Sequence, residues 1–231
     1  MTRILRGRFE SPAADRAATR RLVDDVGSSG EPVVRVWVPP RQLAFGRIDA
    51  HSDGYETAKR AARARGYPPQ EREVGGRAVA YTGVTTLAFV RMTAVEGRSG
   101  ISDRYDDAVD AVRTALGSIG VDAIEGEPEA TFCPGTHSLQ ADGKIAGLAQ
   151  RIGDGVAQTA GIVIVAETNA LTDVLDPVYD ALGVPFDPAT VGSVSEAGGP
   201  ADPVIVRDAV ESTLAGDGQV ESIENSESGE A

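Results

Sequence analysis

One cysteine, two histidines and two lysines in 231 residues leave little material for several common kinds of chemistry. A lone thiol, Cys133, excludes an internal disulfide framework, and with His51 and His137 as the only imidazoles no Cys/His spacing of a zinc site is present. No metal site is therefore expected. The chain also lacks a Gly-x-x-x-x-Gly-Lys phosphate loop. Its apolar stretches, such as 161–166, are far too short to cross a bilayer, and residues 1–8 lack the apolar run of a signal peptide. A cytoplasmic protein that does not engage a membrane is expected. Basic side chains are few: 22 against 35 acidic ones, for a net charge of -13. A phosphate backbone would be repelled over most of such a surface, which sets nucleic acid aside as a partner.

The scarcity of lysine is sharper than that of basic residues in general, because only Lys59 and Lys144 occur and the rest are arginine. Acidic excess with arginine in place of lysine points to a halophilic cytosol, where salt screens the self-repulsion. Lys144 gains interest as one of the two lysines retained.

A chain of this length with 41% hydrophobic side chains can bury one sizeable core or two small ones. One catalytic domain over 1–215 is the simpler expectation, followed at 216–231 by a tail rich in serine, glycine and acid and poor in apolar residues, which predicts disorder. Ser11 and Pro12 open an alanine-rich helix running to Gly27. Alternation over 33–38 predicts a half-buried strand, with a second short one at 42–46 and a helix at 52–65 carrying Tyr55, Ala58, Ala61 and Ala62 on one side. A strand broken at Val74-Gly75-Gly76 resumes over 78–81, and 84–91 has the branched and aromatic content of a core strand. A helix at 102–116 precedes a three-strand antiparallel meander, 136–140, 144–152 and 156–167, turned at Asp142-Gly143 and Gly153-Asp154-Gly155. Helices at 171–182 and 204–214 complete an α+β fold, a mixed and largely antiparallel sheet packed by helices.

Three glycine-bearing segments hold the candidate chemistry: Arg72-Glu-Val-Gly-Gly-Arg-Ala-Val, Phe132-Cys-Pro-Gly-Thr-His and Asp142-Gly-Lys-Ile-Ala-Gly-Leu-Ala-Gln-Arg. Gly75-Gly76 is either a bulge that curves a sheet or a loop whose amides face an acyl carbonyl or a phosphate. Cys133 sits between Phe132 and Pro134-Gly135, at the lip of a turn, and is either a small buried hydrophobe or a nucleophile. A nucleophilic thiol needs a nearby cation, which Lys144 would supply if the turn at Asp142-Gly143 folds two neighbouring strands together. His137, four residues on, would lie about 13 Å from Cys133 along an extended strand, a rim residue rather than a base unless the chain turns. His51, beside a helix start, reads as structural.

At these segments the chain resembles the lipoate and octanoate protein-attachment family of the biotin/lipoate ligase superfamily. Arg72-x-x-Gly-Gly-x-Ala-Val resembles the family's glycine-rich strand, and Lys144-Ile-Ala-Gly-Leu-Ala-Gln-Arg its lysine strand. Upstream, Arg35-Val-Trp37-Val-Pro-Pro and Gly46-Arg47 fit its first strands, so the likeness covers roughly 10–215. It implies the superfamily's catalytic-domain fold. Cys133-Pro-Gly-Thr-His-Ser-Leu ahead of Asp142-Gly-Lys is similar to the cysteine-dependent octanoyl transferases, above all the amidotransferase branch that moves octanoyl between lipoyl-domain proteins. Carried over, Cys133 forms an acyl-thioester and Lys144 binds the acyl carbonyl and steadies the thiolate. Arg72, Gly75, Gly76, Ala78, Gly147 and Ala149 would bind the acyl substrate, and Val79, Leu87 and Phe89 would line an apolar tunnel. The implied partners are the E2 subunit of 2-oxoacid dehydrogenases and the glycine cleavage H protein, with no cofactor. The alternative is an ATP-dependent lipoate-protein ligase, which would need ATP and lipoate and pass through a lipoyl-adenylate. Those ligases share a third glycine and a His-Asp pair where this chain has Arg77 and Tyr81-Thr82. A third reading is a binding module that only holds lipoyl or biotinyl domains, against which the retained Lys144 argues.

Overall fold

The computed structural model describes residues 1–72, 75–97 and 99–222, so Glu73 and Val74 in the expected strand break, together with residues 98 and 223–231, lie outside the described residues. The first helix, α1 (Pro12–Ser29), is capped as the sequence predicts: Ser11 Oγ accepts from Ala14 N, with proline at the first helical position. It runs past Gly27 and stops at Gly30, where φ turns to 73°.

Eight strands form the main sheet in the order β11-β1-β2-β6-β10-β9-β8-β7. These are β1 (Arg3–Arg6), β2 (Val33–Trp37), β6 (Thr86–Ala94), β7 (Ile124–Glu125), β8 (Ser138–Gln140), β9 (Lys144–Gly153), β10 (Val156–Ile164) and β11 (Gln219–Ser222). The centre, from β2 to β8, is antiparallel throughout, while β1 pairs parallel with both β2 and β11. The expected meander is present, and its turns place Asp142 and Asp154 at φ of 52° and 54°, the left-handed region aspartate tolerates before glycine. A separate small sheet, β4 (Pro69–Glu71), β3 (Gln42–Phe45) and β5 (Val79–Tyr81), takes strands that the sequence alone does not separate from the main sheet.

One face of the main sheet is covered by α4 (Ile101–Ser118) and α6 (Pro203–Ala215), which bury Val34, Val36, Leu87, Phe89 and Val163 against Val109, Val112, Leu116, Val206 and Val210. The other face is covered in two patches. Leu22 and Val26 of α1 close over Val33, Val90 and Met92. The small sheet, α3 (Tyr55–Ala64) and α5 (Thr168–Leu182) close over Ile162 and Ile164. The functional cavity lies on this second face.

Of the region expected as a disordered tail, 216–231, residues 223–231 lie outside the described residues and 219–222 form β11. Its backbone completes the edge of β1, and Arg3 Nη2 pairs with Glu221 Oε2 at 3.0 Å. The expected helix at 52–65 is present as α3, and a short helix the sequence reading did not expect, α2 (Arg47–Ala50), precedes it, started where the carboxylate of buried Asp49 accepts from Gly46 N. Among the described residues no helix is long and apolar enough to cross a membrane.

Candidate active site

Strand register builds the floor of the cavity. Gly147 of β9, Ile162 of β10, Ala88 of β6 and Trp37 of β2 stand in one row across four strands, and Ala149, Ala160, Val90 and Arg35 stand in the next. Side chains of residues two apart share a sheet face, so both rows point the same way. Glycine and alanine on β9 and β10 leave the volume that longer side chains would fill, and a cavity of about 750 Å³ opens above them. At the β2 side the wall is fixed by a buried network. Asp15 pairs with Arg35 at 2.7 Å and accepts from Trp37 Nε1 at 3.0 Å, while the Arg35 guanidinium lies 4.0 Å from the centre of the Trp37 ring. Burial pushes the Arg35 pKa down, with Asp15 opposing.

At the β9 end the half-buried Cys133 lines the same cavity. It is not on a strand. Its φ is 42°, a left-handed conformation uncommon for a residue with a side chain, and the loop around it is held from several sides. Tyr179 of α5 accepts from Cys133 N at 2.5 Å and donates to Ala78 O at 2.9 Å. Burial above all, with the neighbouring Cys133 second, raises the Tyr179 pKa well above the ordinary phenol value, so it stays a protonated donor. Lys144, 1% exposed, donates to Cys133 O at 2.8 Å, Phe132 O at 3.1 Å and Glu127 Oε2 at 2.7 Å. An ammonium has three protons, and all three are spent here.

The expectation that Lys144 faces the thiol therefore needs revising. The cation against Cys133 Sγ is Arg72, whose Nη2 lies 3.2 Å away and also donates to Arg77 O at 2.7 Å. Burial lowers the Arg72 pKa, but the acidic groups of Cys133 and Tyr81 beside it and the hydrogen bond to Cys133 outweigh burial and the net direction is up, so the guanidinium stays charged. The turn at 75–77 presses on this pair. At Gly76, with φ of 99°, a Cβ would meet Arg72 Nη2 and Cys133 Sγ, each at 2.6 Å. Behind it Gly46 is as crowded, since a Cβ there would fall 1.7 Å from Gly76 O. Asp49 pins the turn through Arg77 Nη1 at 3.1 Å. Close backbone approach around the Arg72–Cys133 contact is what both glycines permit here.

Seven residues singled out in the sequence thus line one cavity: Arg72, Gly75, Gly76, Cys133, Lys144, Gly147 and Ala149. Ala78 does not, because the turn at 75–77 ends the alternation and buries it in the core beneath α5, where only its carbonyl takes part. Of the expected tunnel residues, Val79 borders the cavity, while Phe89, though among the residues around it, packs its ring with Leu87 under α4 and α6. Leu87 faces α4 and α6 on the opposite side of the sheet. His137 is a lining residue with its ring stacked on Tyr105 at 3.7 Å, and His51 hydrogen-bonds Arg47 O at 2.6 Å at the end of α2. Sequence reasoning missed Glu127 and Tyr179, since neither lies within four residues of Cys133 or in a glycine segment. Among the described residues no group of three or more His, Cys, Asp or Glu could hold a metal ion.

A cavity floored largely by small apolar residues, with a thiol and a guanidinium facing each other at one end, characterises an α+β domain able to hold an apolar group beside a thiol. The chain belongs to the lipoyl protein ligase A/B catalytic domain family, whose model matches residues 11–214. An octanoyl-GcvH:protein N-octanoyltransferase of Lysinibacillus sphaericus is 30% identical over 144 residues, 61% of this chain and 51% of that protein. The chain spans about half the length of the curated relatives it matches. In fold it is similar to a lipoate-protein ligase A crystallised with ATP, at a TM-score of 0.77, 19% identity and coverage of 97% of this chain and 90% of the other. A bi-partite lipoate protein ligase of an archaeal lipoylation system, from Thermoplasma acidophilum, gives a TM-score of 0.73 at 16% identity, with 97% and 88% covered.

Proposed function

We propose that this chain transfers an octanoyl or lipoyl group to a lysine of a lipoyl-domain protein through a thioester on Cys133. The observation that carries the reading is the half-buried thiol facing the Arg72 guanidinium at 3.2 Å, at one end of a cavity floored by glycine and alanine. The octanoyltransferase names of the curated relatives support octanoyl as the group. The donors and acceptors in this reading are the glycine cleavage H protein and E2 lipoyl domains.

In the first step the Cys133 sulfur attacks the amide carbonyl of an acyl-lysine on the donor. A C–S bond forms, the C–N bond breaks, and the thiol proton leaves with the donor lysine amine. In the second step the acceptor lysine amine attacks the thioester, a C–N bond forms, the C–S bond breaks, and a proton from the amine returns to sulfur. Atoms balance without nucleotide or metal, and no cofactor is required. Arg72 stays charged beside the sulfur through both steps, and its buried Nε, without a partner among the described residues, is a donor available to the acyl oxygen. Lys144 acts one layer back, holding the carbonyls of Phe132 and Cys133 so that the thiol points into the cavity.

The acyl chain lies over the floor rows. Ala149→Leu is expected to fill the second row and lower the transfer rate with an octanoyl donor about 10–100-fold, with a smaller loss for a butanoyl donor. Competition between the two donors, followed by acceptor mass, checks it. The transfer reading itself is tested with an octanoylated donor protein and an unmodified acceptor in high salt without nucleotide. It predicts octanoyl-acceptor under these conditions. Acceptor modification that requires free lipoate and ATP, and that survives loss of the cysteine, makes the chain a ligase instead.

A further inference from the structure

The loop bearing Cys133 closes around one carboxylate that does not touch the sulfur. Glu127, two residues after β7, accepts from Gly135 N at 2.8 Å through Oε1, and through Oε2 from Ser138 Oγ at 2.8 Å and Lys144 Nζ at 2.7 Å. The three donors belong to the segment just after the cysteine, the start of β8 and the start of β9. The two remaining protons of Lys144 hold the carbonyls of Phe132 and Cys133. Every segment flanking Cys133 is therefore tied, directly or through Lys144, to Glu127.

We infer that Glu127 is a positioning residue for the thiol: it holds Lys144 and the 132–138 loop so that Cys133 keeps its left-handed backbone and its sulfur faces Arg72. The inference rests on the reading of Cys133 as the nucleophile. Lys144 is buried and needs a counter-charge, and Glu127, whose side chain is 19% exposed, supplies it. The chemistry asks for a glutamate in particular. Gly135 N on one oxygen and Lys144 Nζ on the other can only donate, so both carboxylate oxygens must accept. Glutamine would turn an amide N–H₂ towards Lys144 and Ser138 or towards the Gly135 amide, and aspartate is one methylene short of the span. With glutamine there, either Lys144 keeps only the two loop carbonyls or Gly135 N loses its partner. A left-handed non-glycine residue persists only when its surroundings hold it, so the loop relaxes.

The test compares Glu127→Gln with Glu129→Gln, a nearby exposed carboxylate outside the network. Cys133 is the only cysteine, so alkylation by iodoacetamide, read by intact mass, reports its sulfur without any acyl substrate. Glu127→Gln is expected to slow alkylation at pH 8 at least fivefold and to lower kcat for transfer at least tenfold, with donor KM within twofold and melting still cooperative. Glu129→Gln is expected to match the native protein in all of these. Ser138→Ala, which removes one of the three partners, is expected to fall between and serves if Glu127→Gln does not fold. Alkylation and kcat within twofold of native in Glu127→Gln overturn the inference, as does a loss confined to KM. A native protein that transfers no acyl group defeats the function proposed above, and the alkylation comparison still decides the role of Glu127.

Discussion

Gly76→Ala is expected to leave a folded protein whose acyl transfer is about 100-fold slower. Two independent costs meet at this position. The backbone φ of 99° is one that side-chain-bearing residues rarely adopt, and forcing a left-handed conformation on alanine costs about 1–2 kcal/mol. The new methyl would also sit 2.6 Å from both Cys133 Sγ and Arg72 Nη2, so one of them must move. A misplacement of about 1 Å between reacting groups suffices for a loss of this size. Neither the cavity floor nor the main core is touched. The melting transition should therefore stay cooperative and acyl-donor affinity should change little, while the chemical step slows. Single-turnover kinetics beside a thermal melt check this, and a Gly76→Ala protein within a few-fold of native rates would mean that the Arg72–Cys133 contact is not what the reaction uses.

Lys144→Met is expected to lose activity and about 3 kcal/mol of stability together. The ammonium is 1% exposed and bonded to three oxygens, and its removal leaves the carbonyls of Phe132 and Cys133 unpaired and Glu127 without its counter-charge. The figure is taken at the low end for a buried pair, since the Glu127 side chain keeps 19% of its surface in water. For a chain of this size it corresponds to a melting temperature lower by about 6–12 °C, read by calorimetry. An unchanged melting temperature with activity abolished would return Lys144 to direct contact with substrate.

These contacts explain which parts of the site could be read from the sequence. Gly147 and Ala149 were legible because the turn at Asp142-Gly143 sets the register of β9 and alternation then puts both on one face with Lys144 close behind. The partner of the thiol was not legible. Lys144 is 11 residues from Cys133 and reaches it through a local turn, whereas Arg72 is 61 residues away and arrives on the small sheet, by a packing of two sheets that periodicity does not encode. Glu127 was missed for a related reason: nothing in its neighbourhood marks it until three separate segments converge on its two oxygens. Within the expected tail, composition misled at 219–222. The acidic residues that read as disorder include Glu221, which pairs with Arg3 once β11 completes the open edge of β1. Short strands such as β1, with Ile4 buried towards α6 and Leu5 towards α1, carry no period long enough to announce themselves.

The account depends on Cys133 carrying the acyl group, and intact-mass spectrometry of the protein incubated with an octanoyl donor in high salt, without ATP and beside Cys133→Ala, tests this most directly. The account predicts one added octanoyl mass on the native protein alone, removed by hydroxylamine. A donor shown to be competent that leaves no adduct, together with acceptor modification undiminished in Cys133→Ala, would contradict it.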